Sequence, residues 1–586
     1  MKSTKRSIAI IGVGPRGAYA LERYVLELCK RNLLSDIHIF LFDSYGKFGY
    51  GPIYDLDQKD SNWLNISERI LDLEERSSAQ NNGMCFPPFP SYVKWAGKDF
   101  NSASDEEVDY YPPRSKLGRY LKERFQSMLY PLEKYDLVTV LPKQVIGLST
   151  ESKYLTIECS DGYTHGNINE VLLTIGHQPT LDCTQIKKWK NFKFKTRDIQ
   201  LHSSPYPVKS YINSGINYNR SIGIRGFGLA MIDVMRGIAE DVGGFTLIDA
   251  RSRKFSYSTS YDIKNLIVPF SLDGKPPVPK PLSKKIDDWF KPTEEQLKIF
   301  NHTIGDRSTQ EYATDFKFII KAIAPLAAKV YSDLGNSDFL KPLTEESIIG
   351  IIISWLEDEK FHHCTMIDND RSCYSIMNSY VEMALGFQTP SLDYCIGQVW
   401  RHCQPSIYEN LSFCNCSDEI VVSIIELDER MKRYAFGPPV DSIQYLLALV
   451  DAEVLSLEWI EDPTIELTKA GWKLSSESES IVLELMINSV LDSPIVEKLE
   501  SPILDNLLAH NFIKAVHDDL GIITDDNGFI TSEENPNLLI AILGRLAKGT
   551  VIGVDAILEC YGERPQAWAA KAVDNHEKFL NNKSFT

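Results

Sequence analysis

Long apolar runs and an excess of positive charge are both missing from this 586-residue chain. No uninterrupted hydrophobic stretch approaches the length needed to span a bilayer. The chain has 62 Lys and Arg residues but 80 Asp and Glu residues, a net charge of −18. Such a charge opposes binding to nucleic acid and to anionic membranes, because contact with phosphate needs a cationic face. We therefore expect small-molecule partners.

Paired cysteines are missing as well. The 11 cysteines are scattered and none forms a Cys-x-x-Cys motif, so neither a disulfide framework nor the thiol pair of a flavin disulfide reductase is expected. The nearest pair, Cys414 and Cys416, shares its region with several histidines and cysteines. None of these has zinc-finger spacing, and we predict no metal site.

A glycine-rich loop near the N-terminus is the most informative feature that is present. The apolar run 7–11 leads directly into G-x-G-x-x-G at 12–17, and a helix-compatible stretch follows to Lys30. In this pattern the first glycine makes a tight turn, the second lets a diphosphate approach, and the third lets helix and strand pack closely.

The basic start and apolar run superficially resemble a signal peptide. A strand and phosphate loop explain them better, so we expect a cytoplasmic protein.

An acidic residue follows at the spacing that a dinucleotide site requires. The apolar run 37–42 ends in Asp43, which lies 26 residues after Gly17. A carboxylate at this place typically binds a ribose hydroxyl. Strand, glycines, helix and acid occur in the expected order, which predicts a bound dinucleotide cofactor.

A second strand-loop-helix unit begins near residue 221. The run 221–225 leads into Gly226 and Gly228, but Met231 stands where a third glycine would be. The next predicted strand ends in Asp249, which suits an unphosphorylated ribose, whereas Arg251 beside it suits a 2′-phosphate. The residues alone leave NADPH and NADH open.

The predicted architecture is α/β, with two Rossmann-like dinucleotide-binding units and a mainly helical insertion. Residues 138–141 and 154–159 are predicted to pair as strands, and 315–331 and 345–357 to form helices. We expect an FAD-binding domain over 1–210, completed by 480–586, and an NAD(P)H-binding unit over 211–280. The helical insertion would cover 281–435, and a C-terminal segment, 436–586, would return to the nucleotide-binding domains.

The order of several loose motifs resembles a known family. They are similar to the FAD- and NAD(P)-binding flavoproteins related to flavin-dependent monooxygenases and amino-acid N-hydroxylases. The matching segments are 12–17 with Asp43, 48–54, 63–66, Pro113-Arg114 with 118–121, 174–179, 202–206, 225–233, 436–439, and Leu543-Gly544 with 548–550.

The resemblance implies FAD on the first unit and NAD(P)H, with a preference for NADPH, on the second. It implies two candidate catalytic residues, Asn65 near the flavin and Arg114 facing a phosphate or a substrate carboxylate. Structural alternatives are a helix cap or turn for Asn65, an ion pair for Arg114 and a structural imidazole for His177. The implied cofactor-binding residues are Gly12, Gly14, Pro15, Arg16, Gly17, Asp43, Ser44, Gly49, Tyr50, Gly51, Leu64, Asn65, Thr174, Gly176, His177, Gly226, Gly228, Leu229, Arg251, Gly544, Gly549 and Thr550.

The resemblance also implies a reaction. NAD(P)H reduces the flavin, O₂ adds, and the resulting C4a-hydroperoxyflavin transfers one oxygen atom to the amine of a small amino acid, with aspartate as one candidate. The amine must be neutral to attack, so the site should disfavour its ammonium form. Two alternatives remain: a flavin-dependent reductase or dehydrogenase without oxygen insertion, and a non-catalytic flavin- or nucleotide-binding regulator. A homodimer is also left open.

Overall fold

The computed structural model describes residues 5–100, 102–151, 154–195, 199–213, 215–335, 343–491, 495–531 and 538–583. The strands are β1 (Arg6–Ile11), β2 (Ile37–Phe42), β3 (Ala79–Asn81), β4 (Met84–Phe86), β5 (Val138–Leu141), β6 (Val145–Glu151), β7 (Tyr154–Cys159), β8 (Thr164–Ile168), β9 (Glu170–Leu173), β10 (Gln200–His202), β11 (Ile222–Arg225), β12 (Gly243–Asp249), β13 (Lys254–Thr259), β14 (Ile267–Phe270), β15 (Thr464–Thr468), β16 (Gly471–Ser475), β17 (Ser480–Leu483), β18 (Leu485–Asn488) and β19 (Ile540–Ile542).

Helices account for most of the remaining regular structure. They are α1 (Pro15–Lys30), α2 (Tyr92–Trp95), α3 (Arg114–Lys134), α4 (Thr184–Lys195), α5 (Val208–Asn213), α6 (Leu229–Val242), α7 (Lys284–Asp287), α8 (Glu294–Gly305), α9 (Arg307–Glu311), α10 (Lys317–Asp333), α11 (Glu345–Glu357), α12 (Cys373–Ala384), α13 (Leu392–Leu411), α14 (Asp418–Ala435), α15 (Val440–Asp451), α16 (Pro502–Ala509), α17 (Ile557–Cys560) and α18 (Glu563–Lys583). No helix in the described ranges has both the length and the apolarity needed to cross a membrane.

The first glycine loop follows the carboxyl end of β1, the central strand of a parallel sheet with the strand order β19-β9-β1-β2-β5. Alternate residues of β1 point to opposite faces, as in any strand. Ile8 and Ile10 pack with α1 and α18, whereas Ala9 and Ile11 pack with β6, β7 and α16. Both faces of the sheet are therefore covered, which is why β1 and β9 are almost continuously apolar.

A second parallel sheet, β10-β18-β11-β14, carries the second glycine loop. One face packs on α6 and the helical region in the largest hydrophobic core. The other face packs on α4 and the antiparallel strands β15–β17. Two parallel sheets and a mainly helical insertion confirm the predicted fold class.

Two strand pairings differ from the sequence expectation. β5 pairs with β2 in the first sheet, whereas β7 pairs with β6 and β8 in an antiparallel sheet, so 138–141 and 154–159 are not partners. β12, predicted as the parallel neighbour that ends in Asp249, instead forms an antiparallel hairpin with β13. The parallel neighbour of β11 on that side is β14. The hairpin leaves the sheet because Phe245 and Phe255 pack on Tyr445 of α15, with ring centroids 3.9 and 4.7 Å apart.

The helical region runs from α7 to α15 and its core is continuous with that of the second sheet. Its predicted helices 315–331 and 345–357 are found as α10 and α11. Strands of the second sheet come from three separate parts of the chain, since β10 lies within 1–210 and β18 within 480–586. The proposed domain boundaries remain predictions.

Candidate functional site

The turn after β1 requires glycine at two positions. Gly12 has φ +87°, and a Cβ there would lie 2.7 Å from the Cα of Ile175. A Cβ at Gly17 would lie 2.5 Å from the carbonyl oxygen of Gly12. Thr174, at the end of β9, donates from Oγ1 to that same carbonyl at 2.5 Å. These contacts bring α1 against the sheet and give each residue the structural role that the motif predicts.

The N-terminus of α1 is shaped to receive an anion. Gly14 is its N-cap, Pro15 follows, no side chain caps the helix, and its first turn contains no acidic residue. A Cβ on Gly14 would meet nothing nearer than the Cα of Gly51, 4.0 Å away. The unpaired N–H groups and the helix dipole therefore remain accessible to a diphosphate. These residues fit a dinucleotide cofactor.

Asp43 lies where the ribose contact is predicted. Its Oδ1 accepts the amides of Tyr45 and Lys47 at 3.0 and 3.1 Å, which fixes the carboxylate at the end of β2. Within the described residues Oδ2 has no hydrogen-bond partner. Ser44 beside it is exposed. One carboxylate oxygen thus builds the turn and the other is available to a hydroxyl.

The segment 49–51 covers the glycine loop. The amide of Gly49 donates to the carbonyl of Val13 at 2.7 Å. Gly49 has φ +91°, and a Cβ there would lie 2.6 Å from the Cβ of Phe125. Gly51, at φ +66°, faces Gly14, and Tyr50 between the two glycines is half-buried.

Arg16 joins the first glycine loop to the C-terminal segment. Its guanidinium donates to the carbonyls of Glu559 and Val554 at 2.9 and 3.2 Å. Gly544 has φ +94°, and a Cβ there would lie 2.7 Å from the Nε of Arg16. Gly549 instead packs on Leu520, and Thr550 donates to the carbonyl of Ile522 at 3.1 Å. Of these three C-terminal candidates, only Gly544 contacts the loop.

A cavity of about 2130 Å³ lies between the two sheets and the helical region. Ligand pockets commonly have volumes of about 300–1,000 Å³, so this cavity has room for more than one ligand. The acidic excess of the chain lies elsewhere, because equal numbers of basic and acidic side chains line the cavity. The basic ones are Lys47, Arg69, Arg114, Lys190, Lys209, Arg225, Lys280, Lys284, Lys291, Arg401 and Arg564; the acidic ones are Asp55, Asp57, Asp182, Asp287, Asp288, Glu409, Glu500, Asp526, Asp555, Glu559 and Glu563.

Asn65, a predicted catalytic residue, lines this cavity with Leu64 and contacts a lysine. Its Nδ2 donates to the carbonyl of Phe436 at 3.1 Å, which orients the amide. The amine of Lys280 donates to the main-chain oxygen of Asn65 and, at 2.8 Å, to its Oδ1. Burial and the charge of Arg401 lower the pKa of Lys280 to about 7.

Asp287 contacts three basic side chains beside Asn65 and Lys280. Its carboxylate accepts from Arg401, lies 3.4 Å from a guanidinium nitrogen of Arg69 and 3.3 Å from Nε2 of His402. Arg69 also forms a bidentate pair with Asp109 at 2.9 and 2.7 Å. Burial alone would raise the pKa of Asp287, but the contacts with His402 and Arg401 hold it far below its usual range. Arg401 and Arg69 therefore line the cavity with their charges already paired to carboxylates.

Arg114, the second predicted catalytic residue, forms a buried ion pair. Its guanidinium lies 2.5 Å from Oδ2 of Asp233 on α6, and the Tyr206 hydroxyl donates to the same oxygen at 2.6 Å. Arg114 also donates to the carbonyl of Trp63 at 3.2 Å. The structure therefore contains the ion pair that was the structural alternative for Arg114, although this pair is buried and not on the surface. Arg114 still lines the cavity, and its catalytic role stays a prediction.

His177 follows Gly176, which has φ +65°, and faces the cavity. The guanidinium of Arg545 lies 2.5 Å from its Nε2. The protein around the ring and the charge of Arg545 lower the pKa of His177 to about 4, although the side chain is exposed to the open cavity. The ring is therefore neutral near pH 7 and accepts a hydrogen bond from the arginine.

The second glycine loop opens to the same cavity. Gly226 has φ +112°, and Gly228 caps α6 with nothing within 4 Å of a Cβ placed on it. Leu229 and Arg225 line the cavity. Arg225 donates to the amide oxygens of Gln185 and Asn488 at 2.7 and 2.8 Å, and no carboxylate in the described part of the chain pairs with it. Its charge is therefore available to a phosphate.

Arg251 is not part of this wall. It lies in the exposed turn of the β12–β13 hairpin, with its guanidinium 5.1 Å from the ring centroid of Phe387. In a parallel nucleotide-binding sheet the ribose is read after the strand that neighbours the first one. Because β14 is that neighbour, the turn 271–275 holds this position, which the sequence pattern assigns to Asp249 and Arg251.

Thiols and metal ligands do not gather at the cavity. All 11 cysteines are free, and among the described lining residues Cys183 is the only one. Across the described ranges no three His, Cys, Asp or Glu side chains come close enough to share a metal ion.

Comparison with known proteins supports the nucleotide-binding assignment. Residues 9–178 match a family described as FAD-NAD(P)-binding. A nitrosuccinic acid synthase of Aspergillus oryzae is 22% identical over 249 residues, which are 41% of this chain and 36% of that protein. The match thus spans about a third of that relative's length. The predicted resemblance is confirmed for the segment that contains the first glycine loop.

Two solved structures are similar over almost the whole chain. Ornithine hydroxylase from Pseudomonas aeruginosa has 11% identity and a TM-score of 0.43, covering 97% of this chain and 98% of its own. L-lysine 6-monooxygenase from Pseudomonas syringae has 12% identity and a TM-score of 0.45 with the same coverage. Likeness at this level assigns no residue role.

No local sequence pattern points to Lys280, Asp287 or Arg401. The available signal for Lys280 is a single lysine held between two prolines, Pro279 and Pro281. The chain distance from Asn65 to Lys280 hid their contact, since no local pattern links residues 215 positions apart.

Proposed function

We propose that this protein is an FAD- and NAD(P)H-dependent monooxygenase that oxidises the amine of a small amino acid. The observation that carries the proposal is one cavity lined by segments 45–70 and 177–180 of the first unit, by Arg225 and Leu229 beside the second glycine loop, and by the helical region. A hydride can pass between two cofactors only if both reach one enclosed space, and a reactive oxygen species survives only where water is kept out.

The first unit supplies the groups that would hold FAD. The N-terminus of α1 and Gly14 suit the diphosphate, and Asp43 suits the ribose. When bound, the flavin supplies electron transfer and the activation of O₂. Arg225 and the N-terminus of α6 would hold the phosphates of the nicotinamide nucleotide.

The substrate end of the cavity is the wall formed by Asn65, Lys280 and Arg401. This wall combines the amide of Asn65, the amine of Lys280 and the guanidinium of Arg401, which is shared with Asp287, and such polar groups can orient a small molecule with carboxylate groups. The relative from Aspergillus oryzae is named for nitrosuccinic acid, which has the carbon skeleton of aspartate with a nitro group in place of the amine. We therefore infer an aspartate-like substrate, with O₂ as the co-substrate.

The absence of a thiol pair in the described cavity wall supports this function over disulfide reduction. The net charge of −18 supports a small-molecule partner rather than nucleic acid, and 11 free cysteines suit the reducing cytoplasm. A homodimer stays a prediction that light scattering would test.

The decisive experiment follows NADPH, O₂ and product together. The purified protein, expressed with ample riboflavin, is mixed with NADPH or NADH and with single amino acids, aspartate first. We expect a flavin spectrum, substrate-dependent NAD(P)H oxidation, and a product heavier by the mass of added oxygen. NAD(P)H oxidation that yields only hydrogen peroxide with every amine would favour the reductase alternative. A bound flavin that neither nicotinamide reduces would favour the regulator, and a colourless protein that takes up no FAD would overturn the assignment.

A further inference from the structure

Lys280 is held in place by the residues around it. It follows Pro276-Pro277-Val278-Pro279 and precedes Pro281, so its backbone has little freedom. Its amide donates to the carbonyl of Pro438 at 3.0 Å, and its side chain reaches the large cavity. The position of the amine is thus set by the fold rather than by a flexible surface chain.

The hydrogen bonds of the amine fit a neutral lysine. The nitrogen donates to two acceptors, both on Asn65, whose amide is oriented by its own bond to Phe436. An ammonium group has three hydrogens to place, whereas a neutral amine has two and keeps a lone pair. Two donations leave one tetrahedral position of Nζ for that lone pair.

The charges that face Lys280 come from three elements. Arg401 on α13 disfavours a second positive charge, while Asp287 on α7 and Asp109 in the loop before α3 favour one. Both carboxylates are already engaged, Asp287 by Arg401, Arg69 and His402, and Asp109 by Arg69. In the described residues, no carboxylate lies within 4 Å of Nζ. Tyr111 and Tyr394, which lie near this wall, stay protonated because burial raises the pKa of each.

We propose that Lys280 accepts a proton from the ammonium group of the substrate and so delivers the free amine that is oxidised. This inference rests on the proposed N-oxygenation. A small amino acid is almost entirely an ammonium ion at neutral pH, and only its free amine has the lone pair that an electrophilic oxygen needs.

The proton transfer balances within the overall reaction. The substrate N–H bond breaks, its electron pair stays on the substrate nitrogen, and a new N–H bond forms on Lys280. Oxidation of R–NH₃⁺ by NADPH and O₂ gives R–NHOH, NADP⁺ and water, with atoms and charge balanced and no further proton required. The proton that Lys280 takes up is matched by one consumed in forming water, so Lys280 returns to its neutral form in each turnover.

The first test measures the lysine directly. The flavin-loaded protein is acetylated with acetic anhydride between pH 5 and 10, and peptide mass spectrometry follows Lys280 against Lys30, whose side chain is 77% exposed. We expect the reactivity of Lys280 to rise near pH 7. A rise only near pH 10, as in an ordinary lysine, would overturn the proposal.

The second test uses pH and rescue. Lys280→Met should lose about 10²–10⁴-fold in product formation at pH 7, and the loss should shrink as the pH nears that at which the free substrate itself deprotonates. Lys280→Arg keeps a cation that cannot accept a proton, so it should show the same loss. In Lys280→Ala, added methylamine should restore turnover. The control is Lys285→Met, which removes an exposed lysine of α7 that pairs with Glu106 and does not line the cavity, and it should leave product formation unchanged.

The outcomes separate the two proposals. A wild-type pH profile in Lys280→Met, or full activity in Lys280→Arg, would overturn the role of Lys280 and leave N-oxygenation intact. Failure of the wild type to oxidise any amine would overturn both. Thermal unfolding shows whether Lys280→Met still folds. If it does not fold, the acetylation profile of Lys280 in the wild-type protein decides whether the proposed role of Lys280 stands.

Discussion

Gly14 and Gly51 approach each other face to face. A Cβ on Gly51 would lie 3.6 Å from the Cα of Gly14, and a Cβ on Gly14 would lie 4.0 Å from the Cα of Gly51. The two glycines therefore keep side chains away from the N-terminus of α1, where a diphosphate is expected. A structural requirement and a binding requirement can be separated here, because Gly14 has φ −75° and is not strained.

Gly14→Ala is predicted to leave folding intact and to weaken FAD binding at least about tenfold. The backbone accepts alanine and no atom is crowded, so the free energy of unfolding should change by no more than about 0.5 kcal/mol. The added methyl group would lie where the diphosphate approaches. Thermal unfolding and FAD titration measure the two effects separately.

The matched control is Gly228→Ala in the second unit. Gly228 also caps a helix, has φ −112° and has open space around its Cβ position. It should keep FAD and raise KM for the nicotinamide nucleotide. If both variants lost FAD equally, the assignment of FAD to the first unit would be wrong.

Removing the charge of Asp43 should leave folding intact but should weaken FAD binding. Asp43→Asn keeps an oxygen for the amides of Tyr45 and Lys47, so the turn should survive. Loss of a charge-assisted hydrogen bond to the ribose should weaken FAD binding by about 1.5–3 kcal/mol. Asp43→Ala removes the turn acceptors too and should also lower the unfolding temperature. Equal FAD affinity in Asp43→Asn and the wild type would show that the carboxylate serves the turn alone.

Features encoded within a short stretch were predictable from the sequence. The strand-loop-helix turn at 12–17 and the place of Asp43 at the end of β2 could be predicted because the spacing of glycines and an acid along one unit reports directly on backbone geometry. The helices over 315–331 and 345–357 were found for the same reason, since 3.6-residue periodicity is local.

Features that depend on distant contacts were not predictable. The sequence of β12 suits a parallel strand, but Phe245 packs on Tyr445 and removes the strand from the sheet. Lys280 meets Asn65 only because the chain returns to the first unit 215 residues later. The choice between an ion pair and a ligand for Arg114 likewise depended on where α6 would place Asp233.

Arg114 is predicted to be needed for stability. Arg114→Met would leave the buried carboxylate of Asp233 with Tyr206 and with Arg236, whose nitrogen is 3.8 Å away. Loss of one partner of a buried ion pair should cost about 3 kcal/mol, measured by urea unfolding. The double variant Arg114→Met with Asp233→Asn removes both charges and keeps an acceptor for Tyr206, so it should cost less than Arg114→Met alone. Unchanged stability with lost activity in Arg114→Met would instead favour the predicted catalytic role.

Glu559 should make the protein less stable as pH rises through neutrality. Burial raises the pKa of its carboxyl to about 7, although Arg16 opposes the shift. Because the folded-state pKa lies above the unfolded value of about 4.3, the folded state binds more protons between these limits. The stabilisation is complete below the unfolded pKa and is lost as pH rises through the folded pKa.

Glu559→Gln tests this dependence, since the amide keeps an oxygen for the Ala556 N–H that Glu559 accepts at 3.0 Å. The stability of the variant relative to the wild type should increase by about 2 kcal/mol between pH 5 and pH 8, measured by urea unfolding. Glu563→Gln removes a negative charge from the same cavity wall and controls for net charge. A constant difference between Glu559→Gln and the wild type across this range would mean that Glu559 is ionised throughout, with its charge balanced by Arg16.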